Sequence, residues 1–171
     1  MKKLLMLAVA LVMVISFTAC ENEEKDNDEK KTKSIPAIEG VNDTAENVAK
    51  AFYETTYSED SSYEDFEKLI APHEEYLEAF DEENFAERKK LADFDVLSIE
   101  VTGSRSNYAE ETIEEYAENL AENGYELEEL TSVDLEITIK DCLERVETME
   151  KQVSAVKADG RWYIGVEYYL G

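Results

Sequence analysis

The chain predicts an α+β fold, with amphipathic helices in the first half of its folded part packed on one side of an antiparallel sheet of about four strands. Three observations carry this. Apolar residues recur at helical spacing from residue 44 to about 92, strict alternation replaces that spacing from Leu97 onward, and Asp159-Gly160 joins two alternating runs as hairpin turns do.

The first 40 residues are not part of that fold. Met1-Lys2-Lys3 precedes an unbroken apolar run of 12 residues, Leu4 to Ile15, and charged sequence begins at Glu21. This is the pattern of a secretion signal over residues 1–19, too short for a permanent membrane span. Phe17-Thr18-Ala19-Cys20 resembles the lipobox of bacterial lipoproteins, with Phe17 in place of the usual Leu. The resemblance implies that Cys20 takes a diacylglycerol and becomes the lipidated mature N-terminus, anchored to the outer face of the cell membrane. Acylation through two chains gives stable anchoring where one does not. Residues 20–40 hold seven acidic and four basic side chains but few apolar ones, a composition that reads as a disordered tether.

Residues 41–171 are read as one domain. Asp43 is placed to cap a helix over 44–57, with Ala45, Val48, Ala49 and Phe52 on its apolar face. A second helix starts at Ser61 or Ser62, carries Phe66, Leu69 and Ile70, and runs to Ala71, where Pro72 stops it and opens the next turn. Residues 73–92 read as two short helical pieces broken around Asp81-Glu82-Glu83. Leu97, Ile99 and Val101 alternate with polar residues up to Gly103-Ser104, which predicts a strand. Asn107 is the expected cap of a helix over 108–122, with Ile113, Tyr116, Ala117 and Leu120 as its stripe and Asn123-Gly124 as its stop. Val133, Leu135, Ile137 and Ile139 form the inward face of a strand over 132–139. The runs 146–157 and 161–169 complete the sheet, with Trp162, Ile164, Val166 and Tyr168 expected to point inward together.

Charge narrows the function classes. The chain has 42 acidic against 17 basic residues, and residues 41–171 alone hold 35 against 11. Such a surface repels phosphate backbones, so nucleic acid is not an expected partner. With Cys20 lipidated, Cys142 is the single remaining thiol and no internal disulfide can form; it is expected to be a buried or half-buried structural cysteine. The single His, His73, reads as a solvated residue in the first turn of a helix rather than as a general base. No catalytic set, cofactor site or metal site is assigned. The densest acidic stretch supplies a candidate interaction face at Glu74, Glu75, Glu78 and Glu82, whose plainest explanation is solubility.

Two further segments, Val48-Ala49-Lys50-Ala51-Phe52-Tyr53 and Val156-Lys157-Ala158-Asp159-Gly160-Arg161-Trp162-Tyr163-Ile164, together with the lipobox, look like a group of Gram-positive bacterial lipoproteins. Their exported part is similar to the nuclear transport factor 2-like (cystatin-like) superfamily. That resemblance implies a cone of helices wrapped by a curved sheet, and it leaves activity open because the superfold hosts enzymes and binders alike. The function expected is a membrane-anchored, extracytoplasmic, non-enzymatic binding or accessory module. Its partner is taken to be a cationic peptide, a wall polymer or a small apolar ligand. The alternative is a small acid-base enzyme using a buried carboxylate and a Tyr inside the cone; the apolar inward faces argue against it.

Overall fold

The computed structural model describes residues 37–168. The signal, Cys20 and most of the tether lie outside the described residues. Ala37 and Ile38, read with the tether, pack against the core, and the Ile38 amide donates to Asn42 Oδ1 at 2.8 Å.

Five helices and four strands follow, and the fold is α+β. They are α1 (Ala45–Tyr57), α2 (Tyr63–Glu67), α3 (Glu74–Ala79), α4 (Glu82–Leu91), β1 (Phe94–Arg105), α5 (Glu110–Glu122), β2 (Glu129–Asp141), β3 (Val146–Ala158) and β4 (Arg161–Tyr168). The strands form one open antiparallel sheet in the order β1-β2-β3-β4. Helix α1 lies across it, touching all four strands and burying Val48, Ala49, Phe52 and Tyr53. The expected inward set Val133, Leu135, Ile137 and Ile139 is buried. Asn42, fully buried, ties the entry of α1 to β4: its amide nitrogen donates to the Trp162 carbonyl at 2.6 Å, and the Trp162 amide donates back to the Asn42 carbonyl at 2.8 Å.

Local competition moves several expected boundaries. Thr44, not Asp43, caps α1, because the Thr44 hydroxyl accepts from the Asn47 amide while Asp43 pairs with Arg161. Helix α2 ends at Glu67 instead of Ala71. Leu69, Ile70 and Ala71 leave helical geometry to pair with β4: the Ile164 amide donates to the Leu69 carbonyl at 2.7 Å and the Ala71 amide to the Ile164 carbonyl at 2.8 Å. Buried backbone groups at a sheet edge need partners, and this short segment supplies them to β4. Pro72 then lies outside α3, which is entered through His73. The break between α3 and α4 falls at Phe80-Asp81, where Asp81 caps α4 through the Asn84 amide.

Strand β1 extends past Gly103-Ser104 to Arg105 and carries two bulges. The first skips Leu97, so Phe94 and Val96 face the core before it and Ile99 after it, leaving Leu97 exposed. Helix α5 begins at Glu110 behind Ala109, two residues after the expected cap, and Ile113 on its expected stripe is exposed. The helices do not keep to one side of the sheet. Ser154 and Val156 alternate with the α1-facing Val153 and Ala155. The Tyr108 hydroxyl lies 2.7 Å from Ser154 Oγ, and the Tyr116 ring covers Gly165, so the segment containing α5 covers the opposite face at this end.

Candidate functional site

The most consequential departure from the expected pattern is in β4. Ala155 pairs with Ile164 and Ser154 with Val166, so Gly165 is an extra residue in the strand. Before the bulge Trp162 and Ile164 face α1. After it the phase reverses: Val166 moves to the α5 side, and Glu167, opposite Val153, points toward α1. The expected inward set of four therefore breaks after Ile164, and a carboxylate takes the inward place.

Glu167 enters a network drawn from three elements. Its Oε1 accepts from the Tyr53 hydroxyl of α1 at 2.9 Å, and its Oε2 accepts from Arg88 of α4 at 2.6 Å. The Glu167 side chain is 4% exposed and Arg88 23%, while Tyr53 is fully buried. Burial, then the charge and hydrogen bond of Glu167, push the Tyr53 phenol far above its ordinary range. The Arg88 guanidinium also sits 5.0 Å from the centre of the Phe80 ring. Arg88, Glu167 and Lys151 border a cleft of about 150 Å³ with Leu91, Phe94 and Met149. Ligand pockets occupy roughly 300 Å³ or more, so this space suits a few solvent molecules better than a substrate. With both carboxylate oxygens accepting, one from a cation, Glu167 acts chemically as a buried anchor joining α1 and α4 to the last strand.

The sequence-predicted residues are placed as follows. Glu74, Glu75 and Glu78 on α3 and Glu82 in the first turn of α4 are all exposed. Glu74 and Glu78 border a shallow hollow with Leu77, Asp81 and Asn123; Glu75 and Glu82 do not. His73 is not solvated. It is 4% exposed, stacked edge-on to Tyr76, with Nε2 at 3.4 Å from Glu122 of α5 and no partner for Nδ1. The chain turn at Pro72 tucks the ring between α3 and α5, a tertiary effect invisible to helical spacing. Cys142 is exposed, because the β2–β3 turn leaves the sheet immediately before it. Among the described residues, no three His, Cys, Asp or Glu side chains are grouped to hold a metal ion, and no helix is long and apolar enough to cross a membrane.

Sequence reasoning missed Glu167, Arg88 and Tyr53 as a group. One signal was present: a Gly inside an alternating strand marks a bulge, and Gly165 is such a residue. Comparison with known protein families, with curated proteins and with solved structures returned no match for this chain.

Proposed function

We propose that this chain is a lipoprotein, anchored through Cys20 to the outer face of the cell membrane, whose folded domain is a non-enzymatic binding or accessory module. The observation that carries the second half is the state of Glu167. A general base needs a free carboxylate oxygen facing its substrate, and here both oxygens are held by Tyr53 and Arg88 beside a cleft too small for a substrate. The anchor rests on the Phe17-Thr18-Ala19-Cys20 segment. The cone-like layout of the nuclear transport factor 2-like superfamily belongs to the same proposal; it is supported by helix α1 crossing an antiparallel meander and by the hairpin at Asp159-Gly160. The exposed carboxylates of Glu74, Glu75, Glu78 and Glu82 favour a cationic peptide or wall polymer as partner, with binding that weakens as salt rises.

Two experiments test this. Mass spectrometry of the mature protein should find a diacylglycerol-modified Cys20 at its N-terminus, and Cys20→Ser should lose both lipid and detergent partitioning; any other mature N-terminus refutes the anchor. Charge reversal of the four glutamates should weaken retention of the protein on a polycationic peptide matrix. Unchanged retention refutes the acidic face and leaves those residues to solubility.

The acid-base enzyme reading is favoured by one observation, the contact of Glu167 with a Tyr hydroxyl. It requires that the Arg88 contact open on substrate binding. Glu167→Gln abolishing a measurable proton-transfer activity in a folded protein would establish it.

A further inference from the structure

A second hollow, adjoining the Glu167 cleft and sharing Tyr57, Ala92 and Phe94 with it, lies where the end of α1, the end of α4 and the start of β1 meet. Its volume is about 430 Å³, within the range of small-molecule sites. One wall is aromatic and aliphatic: Tyr57 and Phe94 meet edge to face at 5.3 Å between ring centres, with Val96 and Ile99 beside them. The rim carries Glu54 and Glu59; Asp95 also borders the hollow, but it alternates with the core-facing Phe94 and Val96 and its carboxylate lies with Lys140 on the far face of the sheet.

The charge in this hollow is one-sided. Its single basic residue is Lys89, whose ammonium is already committed: it donates to the Glu59 carbonyl at 2.9 Å, the Ser61 carbonyl at 3.0 Å and Ser61 Oγ at 3.3 Å. Glu54 has only a loose contact, 3.6 Å from the Lys50 ammonium. That carboxylate is 55% exposed, so the pair holds it weakly. Glu59 has no ion pair among the described residues. Aromatic faces attract cations through their quadrupole, and carboxylates around such a wall add to that attraction.

We propose that this hollow binds a small organic cation, a protonated or quaternary amine carrying an apolar body, with the charge held between the Tyr57 and Phe94 rings and the carboxylates of Glu54 and Glu59 and the body against Val96 and Ile99. This deepens the binding-module reading and rests on it. A neutral apolar ligand would use the wall but not the rim, and an anion would meet two like charges.

The test is a titration of the full chain in nonionic detergent, followed by NMR, with benzyltrimethylammonium and with its neutral isostere neopentylbenzene. Saturable shifts in residues lining the hollow, stronger for the cation by about tenfold, are expected. The pair Glu54→Gln and Glu59→Gln should remove that preference. Phe94→Leu should weaken the cation while keeping the packing; it also shows whether the response comes from the hollow or from the micelle. Equal binding of both probes overturns the cationic assignment but leaves a binding module. No saturable response from either overturns the site, and the module reading then depends on the acidic-face experiment alone.

Discussion

Glu167 shows how much one side chain can hold when three elements converge on it. Removing the carboxylate leaves Arg88 and the buried Tyr53 hydroxyl without their acceptor, whereas removing the hydroxyl alone leaves the Arg88 contact intact. Glu167→Ala should therefore cost about 1.5–3 kcal/mol, as hydrogen bonds to charged groups do, and Tyr53→Phe about 1 kcal/mol. Urea unfolding of the two variants checks the order; equal losses would mean that Arg88 finds another partner. Tyrosine ionisation offers a second measurement. Burial pushes the Tyr163 phenol up to about 12 and Tyr53 further, while in the unfolded chain both sit near 10. The unfolded state loses these protons first, so the stability they contribute is complete below about pH 10 and is lost as pH rises toward and through 12. A tyrosinate absorbance titration should show a group of tyrosines ionising late, together with a fall in the urea midpoint over the same interval.

At the scale of elements, the bulge at Gly165 decides which residues β4 offers to each layer. An added Cβ there would lie 2.7 Å from Tyr116 Cε1 and 3.4 Å from Val156 Cγ1. Tyr116 is 4% exposed and has little room to yield, so Gly165→Ala should destabilise by about 1–3 kcal/mol, and combining it with Tyr116→Leu should cost less than the sum. Double-mutant analysis of unfolding midpoints reads this directly. The same strand shows what was legible in the sequence. Unbroken alternation at 133–139 was enough to identify β2 and its inward face, because nothing interrupts its period. Helix α1 was equally plain, since its apolar spacing and polar entry agree. Periodicity failed where tertiary contacts set local geometry: residues 69–71 leave the helical pattern to satisfy β4, Leu97 is set aside by a bulge, and the turn at Pro72 buries His73. The Glu167 network depends on one extra residue in a strand, and counting by twos carried Val166 into its place.

For the whole molecule the dominant quantity is charge. Residues 41–171 hold 35 acidic and 11 basic side chains, and the sheet register concentrates part of the excess. Glu100 stands opposite Glu136, which stands opposite Glu150, giving a row of three exposed carboxylates across β1, β2 and β3. Like charges directly opposite one another in a sheet are destabilising, so this row works against the fold that the core beneath it supports. Self-repulsion across the rest of the surface adds to the same effect and is longest in range at low salt, where the screening length is about 30 Å at 0.01 M against about 8 Å at 0.15 M. Glu136 is the middle of the row, and Glu136→Gln relieves both of its cross-strand repulsions without touching the core. The substitution should stabilise the domain by about 0.2–1 kcal/mol at low salt and by less as salt rises, while the wild-type urea midpoint climbs with salt over the same range. Midpoints for both proteins across a salt series check this: a neutral substitution, or a wild type indifferent to salt, would mean that the carboxylates are too well solvated for their repulsion to matter.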